Sequence, residues 1–231
     1  MYRFFKRAFD FFAALLALIV TLPVWLITVI GIELSDPGPV FYKARRIGYR
    51  GAEFRMYKFR SMRVPKKPSE VSEASFKADT NRIFPFGAVI RKLKIDELPQ
   101  LLNILAGDMA IVGPRPASVD QVAVMRGGRY AIANTVKPGL TGPAALYDYI
   151  YGDTVEDPED YERLVLPTRK ELEAYYPAHI GVGFDLKMIF WTVGCVLASV
   201  VGKTPEKMYR KLLSFAATGE DEAAEKEAAN V

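Results

Sequence analysis

The chain has 231 residues, 50% hydrophobic and 25% charged, with 31 Lys and Arg against 27 Asp and Glu and a net charge of +4. This composition excludes a disordered chain. One cysteine and one histidine exclude an intrachain disulfide and a zinc site built from these residues alone. Because residues 220–231 are strongly acidic, the remainder is more basic than the net charge indicates, which favours a phosphate-bearing partner.

The N-terminal segment contains an uncharged, mostly apolar run of 22 residues, 11–32. At about 1.5 Å per residue, this run is long enough to cross the hydrocarbon core of a bilayer. No small-residue cleavage site follows it, so we expect it to be retained. Basic residues flank the run on both sides, and Pro23 lies near its middle. The residues leave two topologies open: a kinked transmembrane helix, or a helix that bends at Pro23 and returns to the same membrane face.

Residues 40–63 predict a β-hairpin with a turn near Gly48 to Gly51. In its second strand, Lys58 and Arg60 are expected to share a face, where two cations can meet one anionic ligand. A soluble basic edge strand, or a patch that contacts anionic lipid headgroups, explains the same charges. The polar, proline-containing run up to Thr80 predicts a loop.

The remaining elements are mainly helical. We expect helices at 85–94 and from near Asp96 to Gly107, a strand at 109–112, a helix capped by Ser118, a turn at 138–143 and a helix from Thr168. The apolar run 188–201 is short for a crossing and predicts a buried or interfacial helix. A last helix after Thr204 has an apolar stripe that lies either in the membrane interface or against the protein. Residues after Gly219 are expected to form a solvated extension.

Asp96 and Glu97 are adjacent acids shortly before Pro99, a pattern typical of the first turn of a helix. Backbone N–H groups at such a turn can bind phosphate, and Arg91 lies just upstream. Paired carboxylates beside cations suit Mg²⁺-dependent phosphoryl transfer, with one acid as nucleophile and the other on metal or proton. Simple helix capping explains the same two acids.

Arg115 lies between two prolines, which restrict the backbone on both sides and orient the guanidinium. Arginine suits bidentate phosphate binding, although an ordinary surface turn is the alternative. His179, the single histidine, belongs to no nucleophile motif and is expected to be structural.

Five ordered motifs together resemble the bacterial sugar transferase family, the monotopic polyprenyl-phosphate phosphoglycosyltransferases. They are YKFRSM at 57–62, IDELPQ at 95–100, GDM at 107–109, VGPRP at 112–116 and PGLTG at 138–142. With this resemblance, we predict an α+β fold: a small membrane-associated catalytic domain with amphipathic interfacial helices and a re-entrant membrane helix broken at Pro23. The expected divisions are residues 1–36 for the basic N-terminus and membrane helix, 37–218 for the catalytic domain and 219–231 for a disordered acidic tail.

The resemblance also implies a reaction at the cytoplasmic face of the bacterial inner membrane. A sugar 1-phosphate passes from a nucleotide diphosphate sugar, usually a UDP-sugar, to undecaprenyl phosphate. Asp96 attacks the β-phosphate to form a covalent phosphosugar, Glu97 assists by proton transfer or metal geometry, and Mg²⁺ at these acids neutralises the phosphates. The phosphate-binding residues are predicted to be Lys58, Arg60, Arg91 and Arg115.

After Gly142 the sequence departs from the family's pattern, and the span to Tyr176 is longer than usual. Because loops often carry specificity, Tyr147, Asp148 and Tyr149 are predicted to line the sugar pocket. Asp185 also resembles a family position and is a possible additional acid.

Two other functions remain open at this point. A membrane-anchored phosphohydrolase would use the same Asp96 with water as acceptor, and a non-catalytic scaffold of glycan assembly would use Asp96 and Glu97 only to begin a helix. Nucleic-acid binding is not expected, because the basic patch adjoins the membrane run and lacks a reading element. Membrane lipids and a second copy of the chain are possible partners.

Overall fold

The computed structural model describes residues 2–64 and 80–228, without the side chains of Arg3 and residues 222–228. The predicted loop before Thr80 therefore lies outside the described residues. The fold mixes helices with two small sheets, as the α+β prediction requires. Helix α1 (Tyr2–Ser35) is one continuous element with Pro23 inside it, so the predicted break into two helices is not seen. The return of the chain to the same membrane face remains a prediction.

Both ends of α1 contact the same globular body. Near the N-terminus, the Arg7 guanidinium donates to the carbonyls of Ile104 and Leu105 at 2.5 and 2.9 Å. Just beyond the C-terminal end, Asp36 forms an ion pair with Arg60. The outer face of α1 stays uncovered and apolar, and includes Phe4, Phe12, Leu16, Ile19, Val20, Leu26, Ile27 and Leu34. Helix α1 therefore lies along the body and presents an apolar stripe to its surroundings.

The hairpin prediction is confirmed. Strand β1 (Phe41–Ile47) pairs antiparallel with β2 (Glu53–Phe59), and the turn between them contains Tyr49–Gly51. A short strand β4 (Ala117–Ser118) pairs with the other edge of β1, while β3 (Ala110–Val112) pairs in parallel with β5 (Gly139–Thr141). Two predictions are thereby corrected: Ser118 belongs to a strand and caps no helix, and the turn at 138–143 contains a strand.

The helices follow the predicted order with shifted boundaries. They are α2 (Pro85–Lys92), α3 (Gln100–Ala106), α4 (Val122–Arg126), α5 (Pro143–Ile150), α6 (Pro158–Asp160), α7 (Leu166–Ala178), α8 (Val182–Val200) and α9 (Glu206–Ala228). Gly107, at φ 95°, ends α3 as predicted. The acid pair lies in a separate 3-10 turn (Ile95–Glu97) that precedes α3, instead of in the first turn of an α-helix; Lys94 at φ 55° separates this turn from α2.

Helix α9 decides between two alternatives for its apolar stripe and corrects one expectation about its length. Its apolar side chains Leu212, Phe215 and Ala216 are buried in the core formed with α5, α7 and α8, so the stripe packs against protein and not in the membrane interface. The helix also continues to Ala228, where the sequence predicted a disordered extension. Alanine, glutamate and lysine dominate this segment and are strong helix formers, which explains the continuation. The domain divisions themselves remain predictions.

Helix α8 has an uncovered apolar face that includes Phe190, Val193, Leu197 and Val200. It extends from Val182 to Val200, longer than the run predicted from the sequence. Within the described part of the chain, Phe4–Ser35 and Val182–Val200 are long and apolar enough to cross a membrane, with mean hydropathies of 2.6 and 1.4. In the most apolar stretch of each helix, only 11% and 17% of the residues are buried. Both helices therefore keep large apolar surfaces available to lipid.

Candidate active site

The 3-10 turn places two adjacent carboxyls in different surroundings. The Glu97 side chain lies 2.8 Å from the Nζ of Lys58 and 3.5 Å from the guanidinium of Arg115. Asp96 is only 5% exposed, yet across residues 2–64 and 80–221 no hydrogen bond or ion pair within 4 Å engages its carboxylate. One acid is therefore held by two cations, whereas its neighbour is buried and chemically available.

The electrostatics separate the two acids further. Burial raises the pKa of Asp96, and the positive charge of Lys58 opposes this effect only in part. Burial also acts to raise the pKa of Glu97, but the charges of Lys58 and Arg115 outweigh it and hold that pKa well below its ordinary value. Neighbouring acids with pKa values pushed apart are typical of sites that assign different roles to two carboxyls.

Asn103 fixes strand β2 against helix α3. Its fully buried amide accepts a hydrogen bond from the Tyr57 N–H at 2.9 Å, and donates to the Arg55 carbonyl at 2.8 Å and to Asp108 at 3.2 Å. Because Lys58 directly follows Tyr57, this attachment brings Lys58 to the acid turn, the 3-10 turn Ile95–Glu97. The sequence analysis missed Asn103; a polar residue on the buried face of an otherwise apolar helix is the signal that would have found it.

The loop that carries Arg115 depends on close backbone approach between glycines. A Cβ on Gly139 would lie 2.1 Å from the Gly113 nitrogen, and a Cβ on Gly113 would lie 2.4 Å from the Lys137 carbonyl oxygen. The Gly139 N–H donates to the Pro114 carbonyl at 2.8 Å. Only residues without a Cβ permit this crossing, so the glycines set the position from which Arg115 reaches Glu97.

A closed charge network surrounds the other side of Arg115. The Arg115 guanidinium lies 4.0 Å from Asp148, Asp148 lies 3.6 Å from Arg169, and Arg169 lies 3.2 Å from Glu173. Glu173 pairs with Arg126, whose guanidinium donates to the Arg115 carbonyl at 2.8 Å. The network therefore restrains both the backbone and the side chain of Arg115.

Most members of this charge network were not predicted from the sequence. Arg169 and Glu173 lie on α7 and are buried, and the Tyr161 hydroxyl donates to Asp148 while accepting from Arg169 at 2.9 Å. Desolvation acts to raise the pKa of the half-buried Asp148, but Arg169 and Arg115 hold that pKa below the ordinary value. Asp148, predicted to bind sugar, is thus connected to the acid turn by its ion pair with Arg115, which also contacts Glu97.

The other predicted phosphate-binding residues separate into two groups. Arg91 lies near the acid turn: its guanidinium contacts the Met62 sulfur at 3.9 Å, and its charge lowers the pKa of Asp96. Arg60 is instead buried and engaged by Asp36 and the Pro39 carbonyl. Strand β2 ends at Phe59, so the two-residue alternation that was to align Arg60 with Lys58 does not extend to it. Arg60 therefore attaches the end of α1 to the hairpin.

Tyr147 and Asp185 are also placed differently from their predictions. Tyr147 is 1% exposed and stacks on Tyr209 with ring centroids 5.9 Å apart, which makes it a core residue and not part of a sugar pocket. Asp185 accepts hydrogen bonds from Tyr2, Lys6 and Tyr176, each at 2.7 Å. It anchors the start of α1 to α7 and α8, so the structure gives it an attachment role.

Tyr149 lies beside the acid turn, whereas His179 packs against Tyr175. The Tyr149 hydroxyl donates to Ser199 at 2.7 Å, and the Lys94 ammonium lies 4.5 Å from its ring centroid, so Tyr149 borders the acid turn. His179 stacks on Tyr175 with centroids 3.6 Å apart, and its Nδ1 lies 2.9 Å from the Tyr175 carbonyl. The stacking and the hydrogen bond agree with the structural role expected for His179.

A magnesium site would have to be shared with substrate. Among the described residues, no three or more His, Cys, Asp and Glu side chains cluster as metal ligands. Mg²⁺ commonly binds through one or two carboxylates, completed by waters and substrate phosphates. The unengaged carboxylate of Asp96, with Glu97 beside it, fits that kind of site; Glu97 already contacts two cations, which leaves Asp96 as the more available oxygen ligand.

An acid pair within a cluster of cations, on a body with uncovered apolar helices, is typical of a membrane-associated protein that binds phosphates. The sequence model of one family, described as bacterial sugar transferase, matches residues 1–199. The chain belongs to the bacterial sugar transferase family.

Named relatives agree with this assignment. The chain is 36% identical over 201 residues to a UDP-N-acetylgalactosamine-undecaprenyl-phosphate N-acetylgalactosaminephosphotransferase of Aeromonas hydrophila, covering 85% of this chain and 44% of the relative. It is 36% identical over 195 residues to a UDP-glucose:undecaprenyl-phosphate glucose-1-phosphate transferase of Escherichia coli, covering 83% and 40%. It is 40% identical over 209 residues to the exopolysaccharide production protein ExoY of Rhizobium meliloti, covering 84% and 86%. The chain thus spans less than half of the first two relatives and most of the third.

Proposed function

We propose that the protein transfers a sugar 1-phosphate from a UDP-sugar to undecaprenyl phosphate, giving undecaprenyl-diphosphate-sugar and UMP as the first step of exopolysaccharide assembly. The observation that carries this proposal is the division of roles in the acid turn: Asp96 is buried and unengaged while Glu97 is held by Lys58 and Arg115. The names of the relatives supply the substrates, because they act on UDP-sugars and undecaprenyl phosphate.

In the first half-reaction, a carboxylate oxygen of Asp96 attacks the β-phosphorus of the donor. The new bond joins this oxygen to phosphorus, and the bond between the β-phosphorus and the bridging oxygen breaks, so that UMP leaves with both bonding electrons. A desolvated carboxylate is a stronger nucleophile than a hydrated one, which is the reason to assign this step to Asp96. Lys58, Arg91 and Arg115 bind the phosphates, and Glu97 keeps Lys58 and Arg115 in place.

In the second half-reaction, a phosphate oxygen of undecaprenyl phosphate attacks the same phosphorus. The bond from phosphorus to Asp96 breaks, the carboxylate is regenerated, and the lipid diphosphate sugar leaves. Mg²⁺, when bound at Asp96 and Glu97 together with the phosphates, would neutralise part of their negative charge. Asp96 is the nucleophile of the first step and the leaving group of the second; burial raises its pKa, which makes its ionised oxygen a stronger nucleophile.

We also propose that α1 enters and leaves the bilayer on its cytoplasmic face. Contacts at both ends support this topology: Arg7 binds carbonyls of α3, and Asp36 binds Arg60 at the end of the hairpin. Since both ends contact one globular body, a crossing would require that body to span the membrane too. The uncovered apolar faces of α1 and α8 would contact lipid in this arrangement.

Intact-protein mass spectrometry tests the covalent route. Wild type and Asp96→Asn are incubated with Mg²⁺ and either UDP-glucose or UDP-N-acetylgalactosamine, without lipid acceptor. A sugar-phosphate adduct is expected on wild type alone, and undecaprenyl phosphate should discharge it. Discharge by water at the same rate would indicate the phosphohydrolase, whereas an unmodified wild type that releases no UMP with either donor or with a wider panel of UDP-sugars would indicate the scaffold.

A further inference from the structure

Lys94 is a cation beside the acid turn for which the proposed reaction has so far given no role. Its backbone has φ 55°, a left-handed conformation that non-glycine residues rarely adopt. Its carbonyl accepts a hydrogen bond from the Glu97 N–H at 3.2 Å, so Lys94 begins the turn that carries Asp96 and Glu97. Lys94 therefore lies at the junction between α2 and the turn that carries the two acids.

The Lys94 ammonium has one exposed partner. It lies 3.0 Å from the Asp153 carboxylate and 4.5 Å from the Tyr149 ring centroid. The side chains of Lys94 and Asp153 are 30% and 55% exposed. An ion pair this open to water is weak, so an anion with more charge can displace the carboxylate.

Lys94 also lies within electrostatic reach of the reacting groups. Its charge acts to lower the pKa values of Asp96, Glu97 and Asp148. Arg115 acts on Glu97 and Asp148 in the same direction. Lys94 and Arg115 therefore lower the pKa values of the same two acids, Glu97 and Asp148. Both side chains are 30% exposed, so a diphosphate that approaches the turn can contact them.

We propose that Lys94 binds the diphosphate of the nucleotide sugar, and that Asp153 is its counter-ion in the free protein, displaced when the donor binds. This role rests on the proposed function. Lysine binds phosphate as a compact point charge, and a diphosphate offers more charge than one carboxylate. Tyr149 retains the ammonium at the site, since its hydroxyl is fixed by Ser199.

The segment that departs from the family's pattern thereby gains a function. Tyr149 and Asp153 both lie after Gly142, on α5 and in the turn that follows it. Tyr149 supports the Lys94 ammonium, and Asp153 competes with the donor for it. Donor affinity in this chain is therefore set partly by that segment, through Lys94.

Steady-state kinetics with one UDP-sugar donor test the role of Lys94. The variant Lys94→Gly removes the charge and, because glycine tolerates positive φ, is expected to fold at least as well as wild type. Its KM for the donor should rise about tenfold, whereas Lys94→Arg retains the cation and should stay near wild type. Asp153→Asn removes the competing carboxylate and should lower KM about twofold, the opposite direction. The exposed Lys92→Ala is the matched control.

The outcomes separate the two proposals. Opposite signs for Lys94→Gly and Asp153→Asn support the displacement of Asp153. A KM for Lys94→Gly equal to that of Lys92→Ala, or a KM that rises in both Lys94→Gly and Asp153→Asn, overturns it. Absence of any sugar-phosphate transfer by wild type overturns the proposed function and this role together, whereas normal transfer with unchanged KM overturns only the role of Lys94.

Discussion

The Lys58 ammonium lies 2.8 Å from the Glu97 carboxylate and joins the β-hairpin to the acid turn. The contact matters because Lys58 is also the main positive charge that counteracts the effect of burial on Asp96. Lys58 therefore holds Glu97 in place and lowers the pKa of Asp96. The hairpin, which is far from the turn in sequence, thus supplies a charge that lowers the pKa of the proposed nucleophile.

The first prediction concerns the pH dependence of transfer. Asp96 must be ionised to attack, and burial raises its pKa, so the acid limb of kcat/KM should lie above pH 3.9, about the ordinary value for aspartate. Replacing Lys58 with Ala removes the charge that lowers this pKa, and the acid limb should move to higher pH. A profile of UMP release against pH measures the acid limb of the wild type and that of Lys58→Ala.

Lys43→Ala is the control for Lys58→Ala, because Lys43 lies on the neighbouring strand and contacts the Tyr57 ring at 5.5 Å. It should leave the acid limb unchanged. An unshifted acid limb in Lys58→Ala would contradict the electrostatic role of Lys58, even if the rate itself fell.

The second prediction concerns the stability of the charge network around Arg115. Arg169→Met leaves the buried Glu173 and the half-buried Asp148 without this shared partner, and should lower the free energy of unfolding by about 3 kcal/mol. Arg163→Met removes a surface pair with Asp160 and should change it by less than about 1 kcal/mol. Chemical denaturation of both variants in the same detergent measures the difference.

The pH dependence of this effect follows from Asp148. Arg169 and Arg115 depress its folded-state pKa despite burial, so the pairing stabilises the protein above the unfolded-state value of about 3.9. The contribution is lost as the pH falls through the lower folded-state pKa. The stability gap between wild type and Arg169→Met should therefore narrow in acid, and a gap that widens would contradict the assigned pairing.

Local patterns in the sequence predicted the hairpin, the glycine that ends α3 and the acid pair, because each depends on neighbouring residues. The contacts that bring Asn103 and Arg169 to the site were missed because they are distant in sequence. The main-chain partners of Asn103 lie 46 and 48 residues away, and Asp148 lies 21 residues from Arg169, with no periodicity to indicate either contact. Arg60 was misplaced because alternation in a strand gives no information about where the strand ends. Tyr147 was misplaced because composition cannot distinguish a tyrosine in a pocket from one in the core.

The third prediction concerns the glycine crossing that positions Arg115. Gly139→Ala would place a Cβ 2.1 Å from the Gly113 nitrogen, against backbone that cannot yield without shifting the loop. We expect a loss of about 3 kcal/mol in the free energy of unfolding, together with a loss of transfer activity. Gly181→Ala is the matched control, because a Cβ there meets nothing within 4 Å, and it should retain both stability and activity. Normal stability in Gly139→Ala would show that β3 and β5 do not approach as closely as described.

The fourth prediction distinguishes an anchor from a catalytic acid at Asp185. The carboxylate accepts hydrogen bonds from Tyr2, Lys6 and Tyr176, so Asp185→Asn removes a charge that holds the start of α1 against α7 and α8. Amide hydrogen exchange in residues 2–10 should become about tenfold faster, because local opening of this end costs less free energy. The kcat for transfer should stay near that of wild type, as in the surface control Asp160→Asn. A fall in kcat of about a hundredfold with unchanged exchange would instead assign Asp185 to the chemistry, since general acids and bases contribute effects of that size.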